Sequence, residues 1–323
     1  MKENIKHIFI LNPAAGKGEM QESLAEQIAR VCTERDVDFE IHHTLACGEA
    51  TEYVRACCEQ HPDVQFCFYA CGGDGTLGET VNGAYGFSNA SVGVVPVGTG
   101  NDFVRNFEGN HAFLDIAAQL DGEPLMLDML QYNDKLCANM VNVGFDCEVV
   151  KITGKLKRNK LIPKGMAYIA GLVITLIRKP GVKASVSVDG SEPQQRNMLL
   201  TAVANGAWCG GGFHSTPLAL LHDGVLDTLL IKNVGRIKFL TLVKMYKEGT
   251  FVANKKAREV IDYVKCKTIH YTFDKMQSIC VDGEVTEVSE LRVSVIRDAL
   301  RLIVPRGVSY QPATQAMQTG IVS

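Results

Sequence analysis

The sequence predicts two domains in tandem: an α/β domain on a mostly parallel sheet, then a largely antiparallel, β-rich domain. Three observations predict this. The chain has 323 residues, about twice the ~150 residues of an ordinary domain. Its first third alternates short β-prone runs with helical patterns, as crossover connections between parallel strands require. After Asp121-Gly122-Glu123-Pro124 the texture changes to β-prone runs divided by turn residues, which reads as antiparallel. The expected boundaries are 1–124 and 125–300, with about 301–323 returning to the first domain.

In chain order, Ile5–Leu11 is a β-prone run closed by Asn12-Pro13, and residues 20–34 carry Leu24, Ile28 and Val31 at helical spacing. Phe39–Ile41 is a second strand and Ala50–Gln60 a second helix. Val64–Ala70 and Ser91–Val95 are the third and fourth strands. In the second domain, strands are expected over Met126–Tyr132, Leu136–Val143, Ala184–Val188, Met198–Ala204, Val225–Ile231, Thr268–Phe273, Ser278–Val281 and Leu291–Ile296, with two or three helices interposed.

Composition excludes several classes. Hydrophobic residues at 46% and charged residues at 21% exclude wholesale disorder. The balance 33 − 36 = −3 argues against a nucleic-acid partner for the chain as a whole. Eleven cysteines without a C-x-x-C pair, behind an N-terminus lacking a leader pattern, predict a cytoplasmic protein whose thiols act as small core hydrophobes. The longest apolar run, Ala167–Ile177, is too short to span a bilayer.

Chemistry concentrates where strands end. Cys71-Gly72-Gly73-Asp74-Gly75-Thr76-Leu77-Gly78-Glu79 follows the third strand. Its glycines let backbone approach a ligand, and successive N–H groups backed by a helix N-terminus make an anion site. Asp74 inside that turn suits Mg²⁺ or a reacting hydroxyl rather than a phosphate. Gly73, Gly75 and Gly78 also satisfy G-x-G-x-x-G. That dinucleotide fingerprint belongs after a first strand and needs an acidic residue ending the next one, which is missing here. Asn12-Pro13-Ala14-Ala15-Gly16-Lys17 follows the first strand and lacks the spacing of a Walker A loop. Pro96-Val97-Gly98-Thr99-Gly100-Asn101-Asp102-Phe103 follows the fourth. Three such segments at three strand ends place one site beyond the carboxyl edge of one sheet.

Taken together, N-P-x-x-G-K, G-G-D-G-T and P-x-G-T-x-N-D-F in this order resemble the diacylglycerol kinase catalytic-domain family, specifically its bacterial soluble lipid kinases. The resemblance covers essentially the whole chain. It implies a three-layer α/β domain of the phosphofructokinase and NAD-kinase type followed by a β-sandwich domain. It further implies ATP- and Mg²⁺-dependent phosphorylation of diacylglycerol or a related lipid. On the family's pattern, Asn12, Pro13, Ala14, Ala15, Gly16 and Lys17 line the nucleotide phosphates, and Gly72 through Gly78 form the nucleotide loop (Gly72, Gly73, Asp74, Gly75, Thr76, Leu77, Gly78). Thr44 and Thr99 also touch ATP. On the same pattern Glu284 in Val281-Asp282-Gly283-Glu284-Val285 is the general base, while Asp74, Asp102 and Lys17 suit the positioning and charge neutralisation that phosphoryl transfer needs. The family usually carries Asn where this chain has Gly78. Leu220, Asp223 and Val225 match a segment that holds a structural Mg²⁺ through one carboxylate and two carbonyls.

Without the resemblance, Asp282-Gly283 reads as a hairpin turn. Residues 149–188 hold nine basic residues, Lys151 through Lys183, and no acidic one. They flank the apolar segment Ala167–Ile177, a pattern that fits peripheral contact with an anionic membrane at its cytoplasmic face. The alternatives are an NAD-kinase-like enzyme, which shares G-G-D-G-T, and a catalytically silent nucleotide- or lipid-binding regulator.

Overall fold

A computed structural model describes residues 4–13, 15, 18–157, 164–178 and 181–310. The described parts of Met1–Met129 and Ile296–Pro312 form one unit, and those of Leu130–Val295 another. Ala14, Gly16, Lys17, Arg158, Lys160 and Lys179 lie outside the described residues. Among the described residues no helix is long and apolar enough to cross a membrane.

The first unit is α/β. In order it runs β1 (Ile5–Leu11), α1 (Gly18–Glu34), β2 (Phe39–His43), α2 (Glu49–Gln60), β3 (Gln65–Gly72), α3 (Asp74–Ala84), β4 (Ala90–Pro96), the short α4 (Ile116–Leu120), and the start of β5 (Glu123–Tyr132). The strands lie in the order β2-β1-β3-β4, all parallel. Chain order reverses at β1, which has β2 on one side and β3 on the other; open α/β sheets bind ligands at such a switch point. Phe9, Leu11, Tyr69, Cys71 and Val95 meet Leu24, Ile28 and Cys32 of α1 in one core. The same sheet is closed beside β4 by the far end of the last strand, where Leu302 pairs in parallel with Val92.

The second unit is mostly antiparallel. It continues through β6 (Lys135–Cys137), β7 (Met140–Gly144), α5 (Phe145–Lys157), α6 (Lys164–Arg178), β8 (Val182–Val188), β9 (Gln194–Ala204), β10 (Leu226–Lys232), α7 (Arg236–Glu248), α8 (Lys255–Arg258), β11 (Ile261–Cys266), β12 (Thr268–Val281) and β13 (Glu284–Val304). The pairs β7–β9, β8–β9, β9–β10, β10–β11, β7–β12, β8–β12 and β12–β13 are all antiparallel. Alternation along β9 sends Ala202 and Ala204 to a core shared with Phe239 and Leu242 of α7. Val203 goes to the other core, with Val141, Ile269 and Leu291.

Four points of the strand reading need correction. Leu136–Val143 is two strands, because the N–H groups of Ala138 and Met140 leave the ladder for the Asp282 carboxylate (3.1 and 2.9 Å). Ile261–Cys266 is a strand that the apolar pattern hid; it lies at the sheet's edge, where charged Asp262 and Lys265 are tolerated. The runs 268–273 and 278–281 are one strand with a register break between Thr272 and Gln277. The final strand begins at Glu284 rather than Leu291, since hairpin pairing carries its exposed polar residues.

Candidate active site

Register alone assembles the site. Leu11 of β1 lies opposite His43 of β2 and Cys71 of β3, and Cys71 lies opposite Val95 of β4. Four strands therefore reach one level together, and the next residues are Asn12, Thr44, Gly72 and Pro96. Backbone bonds tie these exits to each other: Asn12 N–H to the Cys71 carbonyl (3.2 Å), Thr44 N–H to the Leu11 carbonyl (2.9 Å), and Gly98 N–H to the Gly72 carbonyl (3.0 Å). The three segments that the sequence singled out share one edge of one sheet.

Asp74 stands at their centre. It opens α3, and its carboxylate accepts the N–H of Asp102 (Oδ2, 3.1 Å) and of Phe103 (Oδ1, 3.2 Å). Burial pushes its pKa up, the two N–H groups pull it down, and the neighbouring Asp102 charge pushes it up again, for a net rise. Asp102 is 7% exposed and pairs with Arg105 Nε at 3.2 Å. A β-carbon on Gly100 would stand 3.0 Å from Asp74 Oδ2 and 3.8 Å from Asp102 Oδ2. Both carboxylates thus border the same small hollow.

The turn after β4 is held by Asn101, which the motif offered as a polar ligand and which the structure turns onto its own loop. Asn101 sits at φ 52°, a left-handed conformation that Asn tolerates. Its side-chain amide donates to the carbonyls of Pro96 (2.8 Å) and Gly98 (2.9 Å). At Gly98 a β-carbon would collide with the Gly73 backbone, so two glycine segments pack main chain to main chain. Asn12 Nδ2 donates to Thr76 Oγ1 at 3.1 Å, linking the first loop to the second. Helix geometry leaves the N–H groups of Asp74, Gly75 and Thr76 without intrahelical acceptors, and the positive end of the α3 dipole lies with them.

The other expected contact residues are placed as follows. Leu77 is 2% exposed and its N–H bonds the Gly73 carbonyl (3.1 Å), so it is a packing residue behind the loop. Thr44 is buried, with its hydroxyl directed to the Leu11 carbonyl. Thr99 and Pro13 are exposed, and Ala15 is half-buried. Nothing lies within 4 Å of a β-carbon built on Gly78. Glu79, which closes the glycine-rich stretch after β3, accepts the N–H of Gly48 (2.8 Å) and of Ala50 (3.3 Å). It caps the N-terminus of α2 from α3.

In the second unit, Asp282 (φ 44°) and Gly283 (φ 95°) are both left-handed, as a two-residue hairpin turn of type I′ requires. Asp282 anchors that turn through the two N–H groups already described and through its own N–H to the Met140 carbonyl (3.1 Å). Glu284 follows, opposite Val281, with an exposed side chain.

Comparison with known proteins decides the family. A model of the diacylglycerol kinase catalytic domain matches residues 6–132, and one of the YegS C-terminal NAD kinase beta sandwich-like domain matches residues 139–304. The chain belongs to the diacylglycerol kinase catalytic-domain family. It is 27% identical to a protein of Stenotrophomonas maltophilia described as a probable YegS-like lipid kinase, over 93% of this chain and 96% of that one. It is 26% identical to a diacylglycerol kinase of Bacillus subtilis, over 85% and 88%. A crystal structure of a diacylglycerol kinase from Bacillus anthracis shares the fold, with a TM-score of 0.65 and 21% identity over 97% of this chain and 99% of that one. Membership supports lipid kinase chemistry, and the G-G-D-G-T and P-V-G-T-G-N-D-F loops of this family member are the ones gathered around Asp74.

Where a structural cation was expected, at Leu220, Asp223 and Val225, the carboxylate is engaged by a side chain of the protein. Asp223 Oδ2 is 3.1 Å from the Lys265 ammonium, and Asp223 Oδ1 accepts the Val225 N–H at 3.3 Å. Lys265 Nζ also lies 3.3 Å from Asp227 Oδ2 and 3.2 Å from the Leu218 carbonyl oxygen. Three oxygens already surround a cation that the chain itself supplies. Among the described residues no group of three or more His, Cys, Asp or Glu side chains could hold a metal ion.

Proposed function

We propose that this protein transfers the γ-phosphoryl group of ATP to the hydroxyl of diacylglycerol or a related lipid. The observation that carries the reading is the alignment of Asn12, Gly72-Gly73 and Gly98 at one level of a parallel sheet, with Asp74 bonded across two of the loops. Free N–H groups at the start of α3 suit phosphate oxygens, and the absence of side chains at Gly72, Gly73 and Gly75 lets the chain come close. Phosphoryl transfer demands positioning and charge neutralisation more than covalent chemistry. Magnesium carried with the nucleotide would supply part of that neutralisation. Asp74 and Asp102, bordering one hollow, are the oxygen donors that suit it.

Glu284 in this reading accepts the proton of the lipid hydroxyl. A carboxylate placed on a rigid turn suits that task, and Asp282 keeps the turn rigid. A lipid acceptor sets the reaction at a bilayer surface, where the basic stretch Lys151–Lys183 offers charge for contact with an anionic cytoplasmic leaflet.

The test is transfer of label from [γ-³²P]ATP to a panel of lipids, with NAD as a parallel acceptor. Label in the organic phase with Mg²⁺ present supports the proposal, and label only in the aqueous phase as phosphorylated NAD overturns it. A protein that binds ATP yet labels nothing across the panel is a regulator rather than an enzyme.

A further inference from the structure

Helices α6 and α7 cover one core. Leu172 and Leu176 of α6 pack against the cluster that contains Phe239, Leu242 and Tyr246 of α7. Arg236, the first residue of α7, donates through Nε to the Leu176 carbonyl (3.2 Å) and through Nη2 to the Ile177 carbonyl (2.7 Å). These are carbonyls at the end of α6, where helices lack internal donors. The bonds bring the C-terminus of α6 to the N-terminus of α7, with Ile177 and Ile237 beside the junction.

The outward side of this pair is apolar. Ile237 is 83% exposed, Ile177 64%, Leu240 54% and Val173 49%. Val173 and Ile177 are one turn apart on α6, and Ile237 and Leu240 share a face of α7. Scattered exposed aliphatic residues are ordinary, but four large ones on one pair of helix faces mark an interaction surface.

Its charge selects the partner. Arg178, Arg236, Lys238, Lys244 and Lys247 lie on the same two helices. Glu248 and Glu259 approach Lys244 and Lys238 only at 3.8 and 3.9 Å, between exposed side chains. Such pairs leave Lys238 and Lys244 available, while Lys247 lies over the Phe213 ring at 5.8 Å and Arg236 spans the two helices. By contrast, Lys151 from the basic stretch is engaged by Ser278 Oγ (2.8 Å), Glu148 (3.5 Å) and Glu287 (3.6 Å). The cations of α7 lie outside the stretch that the sequence pattern singled out.

We propose that the α6–α7 face docks on an anionic bilayer, with Ile177, Ile237, Leu240 and Val173 entering the headgroup–acyl boundary and the surrounding cations meeting acidic headgroups. Apolar residues ringed by Lys and Arg are the composition of helices that lie in that interface. The inference rests on the lipid-kinase reading for its biological sense, since a kinase with a bilayer-dissolved acceptor must settle on the bilayer. Its test is independent of turnover.

The full chain is sedimented with vesicles of phosphatidylcholine alone or with one-fifth phosphatidylglycerol, at 50 and 300 mM salt. Binding at least tenfold stronger to the acidic vesicles, and weakened by salt, is expected. Ile237→Glu with Leu240→Glu should lose at least tenfold in vesicle binding while keeping the circular dichroism spectrum. Ile237→Gln alone, at the most exposed of the four positions, gives a second reading if the double variant fails to fold, with a loss of several-fold expected. A detergent-dispersed short-chain lipid separates the two proposals: the variants should phosphorylate it at the wild-type rate and fall behind only on vesicles. No lipid phosphate from any variant would sink the kinase reading and leave the vesicle result standing. Indifference of the wild type to phosphatidylglycerol overturns the docking proposal. So does undiminished vesicle binding by both variants, or a concentration-dependent dimer that the double variant abolishes without changing vesicle binding.

Discussion

The carboxylate of Asp74 accepts the backbone N–H of Asp102 at 3.1 Å, and through that bond the loop after the third strand fixes the loop after the fourth. The two motifs are 28 residues apart in sequence, and an acid in one determines the backbone path of the other. Removing the charge should therefore disturb geometry as well as chemistry. Asp74→Asn is expected to cut turnover by at least ~100-fold, the scale of losing one preorganised charge-stabilising group. Its melting temperature should stay within a few degrees of the wild type. Near-normal turnover, with the product resolved on thin-layer plates, would remove Asp74 from the reaction.

Asp282 and Glu284 separate structure from chemistry. Asp282→Ala frees two buried N–H groups and should cost about 1–3 kcal/mol in urea unfolding. Glu284→Gln, at an exposed position, should leave the unfolding curve unchanged and abolish turnover. A Glu284→Gln enzyme that still turns over would require another base.

Lys265 predicts a metal response that the wild type lacks. Lys265→Ala strips the counter-ion from Asp227, whose side chain is 1% exposed, and should destabilise by about 3 kcal/mol. Millimolar Mg²⁺ should recover part of that loss in the variant and raise the wild-type melting temperature not at all. A clear rise for the wild type on adding Mg²⁺, reversed by a chelator, would mean that the ammonium does not hold the cation's place.

Asp146 gives a pH dependence with a definite sign. Burial pushes its carboxyl up to about 6, against a lowering bond from the Tyr246 hydroxyl (3.1 Å), whereas an unfolded Asp titrates near ~3.9. Between those values the folded state holds more protons than the unfolded one, so stability falls as pH rises from about 4 to about 6 and is level above. The span corresponds to roughly 2–3 kcal/mol. Asp146→Asn should flatten the decline in denaturant titrations across this window. An unchanged slope would refute the assignment.

Gly78 lies in open space within α3. Gly78→Ala should stabilise by about 0.5–1 kcal/mol, the ordinary helix-interior gain. A β-carbon at position 78 meets nothing within 4 Å, and Gly78→Asn should lower the KM for ATP several-fold by supplying a side-chain amide to the loop. An Asn variant with an unchanged KM would show that the loop makes its contacts through the backbone alone.

The first unit was legible because its signals are local. Each short strand ends in a glycine-bearing turn, and parallel pairing aligns those ends whatever the loops contain. The structural duties of Glu79 and Asn101 were not legible. Their roles depend on where α2 begins and on which carbonyls face a left-handed bend, and neither leaves a pattern along the chain. The second unit was harder for a related reason. Ile261–Cys266 and the first part of the last strand carry charges on exposed positions, so ladder pairing rather than an apolar run defines them. Asp223 matched a cation segment by its neighbours in sequence, while its actual partner, Lys265, comes from a strand 42 residues away.

The pairing of Leu302 with Val92 bears on how the molecule is made. A nascent chain leaving the ribosome has synthesised all three glycine bends within its first third, yet the strand that seals the sheet beside β4 emerges some 200 residues later. At translation rates of about 5–20 residues per second, β4 waits for tens of seconds with an open hydrogen-bonding edge. Fragments that stop short of the last strand keep that edge permanently, and aggregation rather than a folded nucleotide-binding half is their expected fate.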